Sequence, residues 1–287
     1  MSPSTSSELL RHSDLSKVNM YTIPISDSLS LRVYSNAQPY NWKIANLQKG
    51  LILIFNGSEK VGEGTGFGFP AVVYADETYF SGTATVYVSE RRNCTVVCKE
   101  FHMDRVSRNN FKHVKLQNRK ARALLRHLAD LYQKHQHLRF LLVKSFFEKM
   151  GIKSNFVKTP SIGKVLISFT INKRFIHVKA DFSLLNRKNP RKFFILNEQS
   201  SKFFRRYIDA NHWELFDKQI GAWNLVQADW ACITSINGKI GFKMWKSDGI
   251  LRRGREFINN SLDWVGLDYE IDPRKTVFEY EIEILGG

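Results

Sequence analysis

Two stretches of this 287-residue chain alternate polar and apolar residues so as to line up acid–base groups. In Thr95 to Asp104, the residues Glu100, His102 and Asp104 fall on every second position. In Phe175 to Leu184, His177, Lys179 and Asp181 do the same, opposite Ile176, Val178, Ala180 and Phe182. A β-strand sends successive side chains to opposite faces, so each trio shares one face. Histidine titrates near neutrality, and proton transfer needs a donor and an acceptor held together on rigid elements. If both strands line one concave sheet, His102 and His177 flank a ligand as acids, with Glu63 or Glu100 as the base. The other reading of each strand is a solvated face, which antiparallel sheets commonly have.

Glu63 belongs to the most unusual run in the chain, Val61-Gly-Glu-Gly-Thr-Gly-Phe-Gly-Phe-Pro70. Gly62, Gly64, Gly66 and Gly68 recur at every second residue, which in an extended strand leaves one side bare. The spacing is not that of a dinucleotide-binding loop, no helix follows, and the lysine that ends a phosphate-binding loop is absent. Two readings stay open, a structural bend and the close approach of a ligand. Around such a ligand, Tyr79, Lys179, Asp181, Lys243 and Trp245 are the candidate binding residues. Lys243 and Trp245 alternate with Phe242 and Met244 and so face away from an apolar side. Tryptophan rings stack on the C–H faces of sugars, although core packing explains most aromatic residues. Glu279, Glu281 and Glu283 form an acidic strand face that reads as solvated or edge-protecting.

The elements that must position these groups are mostly strands. Leu29, Leu31 and Val33 alternate with Ser28, Ser30 and Arg32. Leu51 to Phe55 runs into Asn56-Gly57, a tight-turn signal. Hairpins are expected at Asp76-Glu77, Asn172-Lys173-Arg174 and Asn237-Gly238, with later strands at Trp264 to Ile271 and Val277 to Ile284. Glu198 to His212 reads as a short helix. Residues 113–151 break the strand pattern. Leu124, Leu125, Leu128, Leu131 and Tyr132 follow helical spacing, and Arg119, Arg122, Arg126 and Lys134 lie off that stripe. The expected architecture is mainly β: an antiparallel β-sandwich or supersandwich with a basic helical hairpin inserted at 113–151. Residues 1–18 read as a flexible tail and 19–287 as one β domain. Strands following strands argue against a βαβ protein.

Composition narrows the partners. Lys and Arg number 43 against 27 Asp and Glu, a formal charge of +16. Such an excess attracts anions, so nucleic acid or acidic polysaccharide is a second class of partner, met through Arg119, Arg122, Arg126 and Lys134. No run approaches the ~20 apolar residues of a membrane span. The polar N-terminus lacks the apolar core of a secretory signal, so the expected location is cytoplasmic. Cys94 and Cys98 sit four apart in one strand, too far for a disulfide, and no zinc ligand set is evident. We therefore expect neither a metal nor a cofactor, and the sequence leaves the oligomeric state open.

The stretch Trp264-Val-Gly-Leu-Asp-Tyr-Glu-Ile-Asp-Pro273, followed by Val277-Phe-Glu-Tyr-Glu-Ile-Glu-Ile284, resembles the closing strands of the galactose-mutarotase-like supersandwich group. The resemblance covers the last quarter of the chain and the general run of strands. It implies a large β-sandwich that binds sugars. The epimerases of that group use a histidine acid and a glutamate base, while other members are not catalytic. His102 and His177 match in residue type and strand placement, and the basic insertion is a departure. Carbohydrate binding or processing is thus the expected function, with acid–base chemistry at a sugar carbon or glycosidic oxygen. Hydrolysis by paired carboxylates about 5–10 Å apart is its variant. A non-enzymatic binder of anionic polymers is the alternative.

Overall fold

The computed structural model describes residues 15–35, 47–75, 77–109, 154–215, 223–258 and 262–286. Within them the strands, numbered in chain order, build three antiparallel sheets. The ten-stranded sheet runs β1 (Ser16–Val18), β7 (Thr83–Arg91), β8 (Cys94–His102), β11 (Lys164–Asn172), β12 (Phe175–Asp181), β21 (Val277–Gly286), β18 (Ile240–Trp245), β17 (Trp230–Ser235), β14 (Phe204–Asp209) and β15 (Trp213–Leu215). The eight-stranded sheet runs β10 (Ser154–Lys158), β9 (Arg105–Asn109), β6 (Thr78–Phe80), β5 (Gly66–Val73), β13 (Lys192–Ser200), β20 (Leu262–Ile271), β19 (Ile250–Ile258) and β16 (Asn224–Leu225). A small sheet holds β2 (Met20–Pro24), β3 (Leu29–Tyr34) and β4 (Ile52–Phe55).

The two large sheets enclose one apolar core. The inner face of the ten-stranded sheet supplies Val97, Phe101, Val165, Ile167, Phe169, Ile176 and Val178. Facing them are Phe67, Phe69, Phe193, Ile195, Val265, Leu267 and Tyr269 of the eight-stranded sheet. Phe67 meets Phe242 edge-on at 5.2 Å, and Phe182 stacks on Phe193 at 4.1 Å, so aromatic contacts tie the sheets together. The side chains of β12 alternate in burial as the sequence pattern requires, with Ile176, Val178 and Ala180 inside and His177 and Lys179 outside.

Three of the expected turns form where the sequence signals them, and Asp76 of the fourth lies outside the described residues. Asn56 and Gly57 take φ of 48° and 74°, the left-handed pair that a two-residue hairpin turn needs. Lys173 (φ 52°) joins β11 to β12, and Gly238 (φ 69°) lies between β17 and β18.

The expected helix at Glu198 to His212 is not there. Glu198 to Ser200 end β13, and Phe204–Asp209 form β14, paired with β15 and β17. Long-range pairing overrides a local spacing that mimicked a helix. The alternating glycines do not make one bare strand face either. Gly66 and Gly68 have positive φ (76° and 75°), and each glycine serves a separate close contact. A Cβ on Gly62 would meet Ile52, one on Gly64 the carbonyl of Glu198, one on Gly66 the carbonyl of Leu51, and one on Gly68 the Phe169 ring. Ser16–Val18, assigned to the tail, pair with β7. The basic insertion at 113–151, with Arg119, Arg122, Arg126 and Lys134, lies outside the described residues. Among the described residues no helix is long and apolar enough to cross a membrane.

Candidate functional site

The sequence-derived residues separate into groups. Glu100, His102, His177, Lys179, Asp181, Lys243 and Trp245 all point outward from the ten-stranded sheet. His102 is in register with Lys164, and His177 with Thr170. Six residues along β11 therefore separate the two histidines, roughly 20 Å at strand rise. They do not flank one ligand. Glu100 is bound by Lys164 at 3.0 Å. His177 lies 3.5 Å from Glu279 and 4.0 Å from Glu281, and Lys179 pairs with Glu279 at 3.0 Å. Asp181 accepts the Ser183 amide in a local turn. Lys243 stands over the rings of Trp230 (4.5 Å) and Trp245 (4.9 Å). Tyr79 is buried in the eight-stranded sheet, donating to Glu77 and accepting from Arg187 at 2.9 Å. Glu63 lies away from both histidines, beside Lys202 at 3.5 Å.

The densest concentration of buried polar groups is elsewhere, in β13. Asn197, Glu198, Gln199, Ser200 and Ser201 are consecutive and are all at most 4% exposed. Burying such a run is costly unless it is hydrogen-bonded or reserved for a ligand. The strand permits it because its register against β5 shifts between Leu196 and Glu198. Asn197 turns into the core, where its Oδ1 accepts from the Gly68 amide (3.0 Å) and from the Tyr280 hydroxyl (2.7 Å). Its Nδ2 donates to the Leu267 carbonyl at 3.0 Å, and its backbone N–H donates to Asp268 Oδ1 at 2.8 Å. This residue joins β5, β13, β20 and β21 and fixes the orientation of Asp268.

Glu198 faces the other way, on the outer side of the eight-stranded sheet. Its register partners are Gly66 on β5 and Gly266 on β20, and Gly266 pairs in turn with Gly254 on β19. Neither register partner of Glu198 carries a side chain. A Cβ built on Gly266 would lie 3.0 Å from Glu198 Cγ and 3.2 Å from Asp268 Oδ1. Glu198 and Asp268 thus lie on either side of one glycine, both buried on the same face of the sheet. Along the same face, Ser200 stands opposite Trp264. The Ser200 hydroxyl is buried without a hydrogen-bond partner, as are both amide atoms of Gln199. On the far side, Arg252 is in register with Asp268 and binds Glu270 through Nε and Nη2, both at 2.8 Å. Burial pushes the Glu270 carboxyl up, but hydrogen bonds from Lys192 and Arg252 outweigh it and hold the group below the usual carboxylate range. Glu270 is therefore a fixed anion that anchors two cations at the rim.

Sequence reasoning missed this site because Glu198 to Ser200, the end of β13, were taken for the start of a helix. Two signals pointed to it. One is the polar run Asn197 to Ser201 set between apolar segments. The other is the alternation of Trp264, Gly266, Asp268 and Glu270 with Val265, Leu267, Tyr269 and Ile271. Of the catalytic candidates only Glu63 comes near, since the adjacent Gly64 packs on the Glu198 backbone. Among the described residues no cluster of three or more histidine, cysteine or acidic side chains suits a metal ion.

No family model matches the sequence, and no match is found among curated proteins. Two solved structures are similar in outline. One is the α-N-acetylgalactosaminidase NagBb of Bifidobacterium bifidum in complex with GalNAc, at 8% identity and a TM-score of 0.49. The match covers 93% of this chain but only 36% of that enzyme. The other is the Slr1438 protein of Synechocystis sp. PCC 6803, at 6% identity and a TM-score of 0.41, covering 96% of this chain and 98% of that one. Likenesses this low carry no inference about function.

Proposed function

We propose that the protein binds and processes a carbohydrate at the Glu198–Asp268 pair. The observation that carries this reading is the burial of two acidic side chains, Glu198 and Asp268, on either side of Gly266. Adjacent carboxylates accept hydrogen bonds from neighbouring hydroxyls, the recurring feature of a sugar ring. Gly66 and Gly266 keep side chains off both register flanks of Glu198, and the buried Ser200 hydroxyl is a further donor beside it. Trp264 supplies an apolar wall of the kind on which sugar C–H faces pack. In a hydrolysis, one of the two carboxyl groups would protonate the departing glycosidic oxygen and the other would act on the opposite side of the sugar. The resemblance of Trp264–Ile284 to the mutarotase-like supersandwich group agrees with a sugar ligand, and membership of that group is part of the proposal.

A thermal-shift screen of sugars, sugar phosphates and aryl glycosides tests the reading, because a ligand that binds only the folded state raises the melting temperature. At least one sugar is expected to shift wild type by several degrees and to lose that shift in Glu198→Gln and in Asp268→Asn. Any glycosidase activity is expected to fall about 100-fold or more in either variant, in line with the loss of a general acid or base. Sugar binding indifferent to both substitutions, in variants that melt cooperatively, would remove the site.

A further inference from the structure

The outer face of the ten-stranded sheet carries a second set of groups that the Glu198 site does not use. Trp213 on β15 is 60% exposed and lies under the Arg206 guanidinium at 5.2 Å. Trp230 and Trp245 are register partners on β17 and β18, with Lys243 poised over both. The three indoles share one face: Trp213 is in register with Ile208, Ile208 with Cys232, and Cys232 with Lys243. They form an oblique track across four strands, about 15 Å from Trp213 to Trp245 at the usual strand spacing. Beyond Trp245 the face continues with Glu281 and His177.

We infer that this track is a binding platform for an extended, neutral glycan chain, resting on the carbohydrate reading above and adding that the ligand is a polymer. The charge pattern selects the occupant. Acids and bases alternate beside the track: Lys243 is in register with Glu283, Glu283 lies 3.6 Å from Arg174, and Glu279 on the same strand pairs with Lys179. Although the chain as a whole carries +16, this face is close to balanced, and Glu281 stands 63% exposed near the end of the track. A single-stranded nucleic acid also stacks on aromatic rings, but it needs an uninterrupted cationic groove for its phosphates. A neutral glycan needs ring faces for its C–H surfaces and mixed donors and acceptors for its hydroxyls. The cations over the indoles fix the rings in place.

Affinity electrophoresis in native gels cast with soluble β-glucan, galactomannan or starch, with poly(dT) in parallel, provides the test. At least one polysaccharide is expected to retard wild type, and Trp213→Ala and Trp230→Ala to weaken that retardation about tenfold or more. Trp213 is exposed, so its replacement does not threaten the core. The thermal shift by a small sugar that depends on Glu198 is expected to persist in both variants. Polysaccharide retardation unchanged by both tryptophan substitutions overturns the platform while leaving the Glu198 site standing. Poly(dT) binding that is lost with the tryptophans overturns the choice of a neutral chain. A wild-type protein retarded by none of the three polysaccharides overturns the inference, and if no small sugar shifts its melting either, the carbohydrate reading goes with it.

Discussion

Lys99 shows how far a single residue can depart from its surroundings. It sits on the inner face of β8 with no exposed surface and no acid beside it. Its Nζ donates to the carbonyls of Tyr34 and Lys49, both at 2.6 Å, and lies 5.0 Å from the Phe101 ring. Burial lowers its pKa from 10.5 to about 7, and burial likewise lowers Lys49 to about 8, against the pull of Glu63 and Glu59. A lysine whose folded pKa lies below its unfolded value binds fewer protons when folded. Its neutral form then favours the native state, and stability rises with pH between about 7 and 10.5. Urea midpoints measured from pH 7 to about 8.5, below the range where the buried thiols of Cys98 and Cys232 oppose the trend, are expected to climb in wild type and to climb less in Lys99→Met, where Lys49 still contributes. Equal slopes in the two proteins would show that Lys99 keeps its proton in the folded state, as a hydrated ammonium does. Nothing in the sequence marks this lysine, because the alternation Val97, Lys99, Phe101 reveals an inward position only once the opposing sheet is known. The same holds for Glu198. Its residue type was visible, but its isolation between two glycines is a property of registers made with strands 132 positions before and 68 positions after it in the chain.

At the scale of elements, much was legible. The period-2 strands and the turns at Asn56-Gly57, Lys173-Arg174 and Asn237-Gly238 follow from local backbone chemistry, and local chemistry is what a sequence displays. The segment Glu198 to His212 was not legible, since its fate depends on pairing with β17 and β20. The glycine run lay between these cases: its composition announced constraint, and the contacts were needed to say which. Gly68 and Gly57 separate the two roles that positive φ can play. A Cβ on Gly68 would come within 2.6 Å of the Phe169 ring, whereas one on Gly57 meets nothing within 4 Å. Gly57→Ala is expected to cost about 1 kcal/mol from backbone strain alone. Gly68→Ala adds overpacking of a core ring and is expected to cost about 2–4 kcal/mol in all. Equilibrium urea unfolding of the two variants decides the matter, and similar losses would mean that Phe169 moves aside freely.

For the whole molecule, the positive charge is the property least explained by the sandwich. The outer face of the ten-stranded sheet is nearly balanced, so the excess lies elsewhere, and Arg119, Arg122, Arg126 and Lys134 are sequence candidates for part of it. If the chain also meets an anionic polymer, replacing these four by glutamine is expected to weaken that binding and to flatten its salt dependence, because fewer counterions are released. Gel shifts with duplex DNA between 50 and 200 mM salt would register this, and the β core should melt unchanged. A shift insensitive to the four substitutions would relocate the contact. The way the sheets end has a different consequence. Among the described residues the ten-stranded sheet stops at β1 and β15, three residues each, and the eight-stranded sheet at β10 and β16, five and two residues. A broad sheet normally offers its rim as a template on which a stranger's backbone can zip. Along these end strands an intruding backbone meets two to five residues before the strand runs out, which limits how far it can zip there.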